Sequence, residues 1–176
     1  MNFNDKILVL DGAMGTMIQK YGLDERDFHK PVPADDLVNR DPAALKALEE
    51  SRMELKGNNE CLNLTRPDII FDIHRKYIEA GADIIESNTF SANSISQEEY
   101  GLADIAGEMA REGAAIARRA ADQSGRKVYV AGSVGPTSKS LTLAQNVEHP
   151  EYRPYGFREM VSAYREQIRG LIDGGA

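Results

Sequence analysis

Ile78-Glu-Ala-Gly-Ala-Asp-Ile-Ile-Glu-Ser-Asn-Thr-Phe90 holds the transition that decides the fold class. Before it, Pro67 opens a stretch with Ile69, Ile70, Ile73 and Tyr77 on one helical face, and Gly81 stops that helix. Ala82-Asp-Ile-Ile-Glu86 then reads as a short buried strand, after which the chain turns polar. The same alternation recurs downstream. Ile105, Met109 and Ile116 share a helical face within 103–122, Gly125 ends it, and Val128-Tyr-Val-Ala131 is the next strand. A last helix follows, with Phe157, Met160, Val161, Tyr164, Ile168, Leu171 and Ile172 at three- and four-residue spacing. Its end, Ile172-Asp-Gly-Gly-Ala176, repeats the helix-to-strand joint of Ile78-Glu-Ala-Gly-Ala-Asp83, so the expectation is a chain cut before a fourth strand.

Upstream, Lys6-Ile-Leu-Val-Leu-Asp11 reads as a buried first strand entering a glycine turn at Gly12. Residues 20–65 are the least regular part, an insertion or long connection in which 42–55 has the composition of one helix. Strands alternating with helices imply parallel βαβ units and the α/β class, because parallel neighbours need a crossover element. Three strands would be less than half of an eight-unit barrel, which needs about 250 residues. A doubly wound sheet is also compatible with the bare pattern. Either way the sheet would have an open edge through which copies could self-associate.

The chain has 176 residues, 41% hydrophobic and 28% charged, an ordinary balance for one globular domain. No stretch approaches the roughly 18 consecutive apolar residues of a membrane span, and the first residues lack the order of a secretion signal. The expected location is the cytoplasm. A net charge of −7 with scattered Lys and Arg argues against nucleic acid as a partner. The single cysteine, Cys61, cannot build a zinc site alone and reads as a small, partly buried apolar residue. His29, His74 and His149 are far apart in sequence and read as surface or helix-face residues. No dinucleotide fingerprint, phosphate loop or nucleophile elbow is present.

Chemistry-bearing residues gather at the carboxyl ends of the expected strands, the edge that carries the ligand site in parallel α/β folds. Asp11 could receive an ammonium group, and Gly12 and Gly15 would let backbone N–H groups approach a carboxylate. The same pair also reads as a plain turn and cap. Asn88 and Thr89 offer amide and hydroxyl groups and Phe90 an apolar wall, a set suited to a small polar ligand with an aliphatic part. Glu86 would share the side of Asn88 on the strand as a structural carboxylate. Gly135 and Pro136 would shape a close loop, or simply a tight turn.

Ile7-Leu-Val-Leu-Asp-Gly-Ala-Met-Gly-Thr-Met-Ile-Gln19 resembles the opening of the homocysteine-binding domain of cobalamin-dependent methionine synthases. Lys56-Gly-Asn-Asn59, Glu79-Ala-Gly-Ala-Asp-Ile-Ile-Glu-Ser-Asn-Thr-Phe90 and Val130-Ala-Gly-Ser-Val-Gly-Pro-Thr137 look like successive landmarks of that family. The first of these leans toward the cobalamin-dependent branch rather than cobalamin-independent relatives. The resemblance implies the N-terminal portion, about three βα units, of a (β/α)8 TIM barrel. It implies methyl transfer from methylcobalamin, regenerated from methyltetrahydrofolate, to a zinc-activated homocysteine thiolate. By carry-over Asp11 would bind the substrate amine and the Gly12 turn its carboxylate. Asn88, Thr89 and Phe90, with Gly135 and Pro136, would line the pocket. The family's zinc cysteines are expected beyond Ala176, in a barrel half that would be this chain's partner together with cobalamin and folate domains. This span is therefore expected to bind neither zinc nor cobalamin and to be inactive alone. A cobalamin-independent methyltransferase of the same fold, or a non-catalytic assembly module, are the rival readings.

Overall fold

The computed structural model describes residues 7–33, 39–142, 148–149 and 151–176. Its centre is β1 (Ile84–Glu86), paired in parallel with β2 (Tyr129–Ala131) in the register Ile84 to Tyr129, Ile85 to Val130 and Glu86 to Ala131. Leu10 makes a parallel bridge to Ile84 on the other side of β1, with the Asp11 amide donating to the Ile84 carbonyl at 3.0 Å. Three parallel segments thus bring residues 11, 86 and 131 to one edge, with fully buried Ile85 in the middle.

The first segment departs from expectation. It is a single bridge rather than a buried strand, and Ile7, Val9 and Leu10 are exposed. The reason is that the described residues supply a neighbour only on its β1 side, so its apolar side chains meet solvent.

The described residues of 20–65 are more regular than their sequence suggests. The segment follows α1 (Met14–Gln19) and contains α2 (Glu25–His29), α3 (Pro42–Glu50), a 3-10 turn at Asn59–Cys61 and α4 (Leu62–Thr65). Phe28, Leu48, Leu55, Cys61, Leu62 and Leu64 from this region join the main core. Helix α3 stops at Glu50 rather than continuing to residue 55. Beyond it the Glu25 carboxylate accepts the amides of Leu55 at 2.6 Å and Lys56 at 2.9 Å, holding the chain off the helical path.

Helix α5 (Pro67–Glu79) starts on proline, carries Asp68 in its first turn and Lys76 in its last, and buries Ile69, Ile70, Ile73 and Ile78. His74 on the same helix is fully buried, not superficial, and neither ring nitrogen has a hydrogen-bond partner. After α6 (Ser94–Gln97), the long helix α7 (Ala106–Gln123) covers the sheet with a small-residue face that includes Ala117, Ala120 and Ala121.

Helix α8 (Phe157–Asp173) packs along α7, but not by the whole stripe its periodicity suggests. Met160, Ala163, Gln167, Gly170 and Leu171 face inward, whereas Phe157, Ile168 and Ile172 are exposed. Small residues let the two helices approach closely, and the larger apolar residues are left on the outer side. The repeated joint is visible in the backbone. Gly81 and Gly175 both take positive φ, and the Ala82 and Ala176 amides each return 3.0 Å bonds to Tyr77 and Leu171. Only glycine adopts that turn without strain.

Candidate functional site

Where the three parallel segments end, a cavity of about 300 Å³ is lined by Gly12, Ala13, Met14, Glu86, Ser87, Asn88, Thr89, Phe90 and Ser133. A space of that size suits a small metabolite. Of the residues singled out from sequence, Gly12, Asn88, Thr89 and Phe90 meet here. Asp11 stands directly behind. Its Oδ2 accepts the Glu86 amide at 3.1 Å, while Oδ1 is buried without a partner. Burial, opposed by that hydrogen bond and assisted by the nearby Glu86 charge, pushes the Asp11 carboxyl up to about 6. A carboxylate held in this condition gains from an incoming cation.

Gly135 lies beside the cavity rather than in its wall. Its amide donates to the Phe90 carbonyl at 2.8 Å, and a Cβ there would sit 2.6 Å from the Phe90 ring, so its absence seats the aromatic wall. Pro136 is elsewhere, in a neighbouring polar cavity with Glu60, Ser91, Tyr100 and Thr137. Glu86 is exposed at the cavity mouth, so solvent satisfies its charge.

The loops after β1 and β2 are tied to each other. Ser87 and Thr89 hydroxyls lie 2.6 Å apart, the Ser133 amide donates to Ser87 Oγ at 3.1 Å, and Thr89 Oγ1 donates to the Ser133 carbonyl at 2.9 Å. Gln167 of α8 donates to the Thr89 carbonyl at 2.7 Å. Thr89 is therefore a structural brace, fully buried, more than a ligand contact.

Sequence reasoning passed over Ser133 as a wall residue and Asn63 as a support. Asn63 is fully buried and bonded to Asn88, and its one sequence signal is an amide set inside the apolar run Leu62-Asn63-Leu64.

The described residues do not fit a zinc ion: no group of three or more His, Cys, Asp or Glu side chains converges among them. Cys61 is fully buried in the core, with its thiol pushed far up by burial. His29 is bonded to the Leu48 carbonyl and Glu25, and His149 lies beside Glu151. No helix among the described residues is long and apolar enough to cross a membrane.

The homocysteine S-methyltransferase family model matches residues 8–176. Among solved structures, the homocysteine methyltransferase MmuM from Escherichia coli is similar in its metallated form at 25% identity and TM-score 0.60, over 98% of this chain and 52% of that one. Its oxidized form gives 23% identity and the same TM-score, over 99% of this chain and 52% of that one. The chain thus spans about half the length of these relatives.

Proposed function

We propose, from the premise that this chain belongs to the homocysteine S-methyltransferase family, that it forms about the first three βα units of a (β/α)8 barrel and holds the amino-acid end of homocysteine. The observation that carries this reading is Asp11. Its carboxylate has one buried, unpartnered oxygen at the edge where three parallel segments end, beside a cavity whose charged lining residue is Glu86. An α-ammonium would complete the hydrogen bonding of Asp11 and offset the cost of its burial. Gly12, Ala13 and Met14 line the same cavity at the start of α1, so their amides are the groups we assign to the substrate carboxylate. Phe90 offers an apolar surface to the aliphatic carbons between the two ends.

In this reading the chain orients the substrate and the thiol is activated elsewhere. A thiol with an ordinary pKa of about 8.5 is mostly protonated at neutral pH, and a zinc-bound thiol is ionised. The ligands for that metal are to be sought in the remaining barrel half, since the described residues do not supply them.

We further propose the cobalamin-dependent branch, with methylcobalamin as donor and methyltetrahydrofolate replenishing it. Lys56-Gly-Asn-Asn59 and the opening 7–19 support that assignment. A cobalamin-independent donor is the alternative, and cobalamin binding by the full-length protein separates the two. Co-crystallisation with homocysteine tests the site itself: its nitrogen should lie within hydrogen-bond distance of Asp11 Oδ1, and a ligand bound away from Asp11 would refute the reading.

A further inference from the structure

Asn88 is 6% exposed at the cavity wall, and everything its side chain can donate is already committed. Its Nδ2 gives one hydrogen to the Asn59 carbonyl at 2.8 Å and the other to Asn63 Oδ1 at 2.9 Å. The Nδ2 of Asn63 in turn donates to the backbone carbonyls of Asn88 at 2.8 Å and Met109 at 3.0 Å. Backbone carbonyls only accept, so they fix which end of each amide is nitrogen. Asn88 Oδ1 is the polar side-chain atom that remains for the cavity. Asn63 has no room to swing, because α7 passes so close that a Cβ on Gly113 would lie 2.6 Å from Asn63 Nδ2 and 2.5 Å from Thr89 Cγ2.

We propose that Asn63 is a positioning residue that locks Asn88 with its carbonyl oxygen toward the cavity, so that the site selects a free primary ammonium and rejects N-acylated or peptide-bound amino acids. The proposal rests on the functional reading above and adds the element that discriminates. Glu86 and Asn88 line one small space and Asp11 stands directly behind it, so the acceptors Glu86, Asn88 Oδ1 and Asp11 Oδ1 gather on one side of the site. An ammonium brings three donors and a positive charge to them, whereas an acylated nitrogen brings one donor and no charge. Acylation would leave Asp11 Oδ1 buried and unpaired, and an unpaired buried polar atom is the strongest form of discrimination a polar site has.

The test uses the full-length protein, with KM and kcat measured for homocysteine, 4-sulfanylbutanoate, which lacks the amine, and N-acetylhomocysteine. The native protein should favour homocysteine over both by about tenfold or more, the scale of a hydrogen bond to a charged group. In N63A and N63S the preference for homocysteine over 4-sulfanylbutanoate should shrink by about tenfold, while KM for 4-sulfanylbutanoate stays unchanged. Asn63 acting only as structural support would weaken both substrates equally and leave the ratio intact, which overturns the proposal. Should both variants fail to fold, the native ratio decides: equal KM values for homocysteine and either analogue overturn it. No turnover of homocysteine by the native full-length protein would instead refute the functional reading, and the proposal with it.

Discussion

Replacing Asp11 by asparagine should stabilise the free protein while weakening homocysteine binding by the full-length protein. The rise of the carboxyl from its ordinary 3.8 to about 6 is equivalent to about 3 kcal/mol of disfavoured ionisation. Asp11 is only half-buried, so solvent screening reduces this to about 1.5 kcal/mol. The sign follows from linkage. A carboxyl whose folded pKa is raised costs nothing below pH 3.8, costs progressively more up to about 6, and a constant amount above. The asparagine side chain of D11N keeps an acceptor for the Glu86 amide and carries no charge. At pH 7.5 D11N should therefore melt about 3 to 6 °C higher than the native chain, with the difference vanishing near pH 4. The same variant should lose about tenfold or more in homocysteine affinity, since the charge-assisted bond to the ammonium is gone. Differential scanning calorimetry across pH, beside binding to the full-length protein, measures both effects. A D11N protein that melts lower at pH 7.5, or by a pH-independent amount, would refute the account of Asp11 as a carboxylate strained by burial.

Other consequences are equally direct. Burial pushes the His74 imidazole down to about 4, so its contribution to stability is present above pH 6.5 and is lost as the pH falls toward 4. The loss amounts to about 3 kcal/mol, and acid titration of H74L by circular dichroism should lack that slope. Homocysteine binding should weaken by about tenfold per pH unit below about 6, as the ligand must displace a proton from Asp11, which calorimetric titration at several pH values checks. G135A should cost about 1 to 3 kcal/mol and displace the Phe90 ring, read by thermal melting and a crystal structure. Cys61 should resist thiol reagents at pH 8 in the native protein and react once it unfolds, because its thiol is buried and pushed far up.

The sequence carries those parts of the fold that rest on local rules. Gly81 and Gly175 close equivalent turns, Pro67 opens α5, and the polar residues after β1 lie at the cavity as their strand-end position implies. Periodicity failed where it reports apolarity without saying what covers it. The stripe on α8 leaves Phe157, Ile168 and Ile172 outward, and Ile7 and Leu10 lie on an uncovered side. The stretch 20–65 looked irregular because the helices among its described residues are short and interrupted, and those helices are held by tertiary capture, such as Glu25 holding the Leu55 and Lys56 amides. Within the site, Asp11, Gly12 and Asn88 were legible as polar or flexible residues after strands. The role of Asn63 was not, since it depends on contacts 25 residues apart in sequence. Pro136 adjoins Gly135 in the chain yet lines a different cavity, a divergence that adjacency alone conceals.

The most direct test of the central claim is calorimetric titration of homocysteine, with zinc present, into this chain and into the full-length protein. The account predicts zinc-dependent binding by the full-length protein alone, because this chain supplies the amino-acid end of the site and the metal is held elsewhere. Comparable zinc-dependent binding by the 176-residue chain would contradict it.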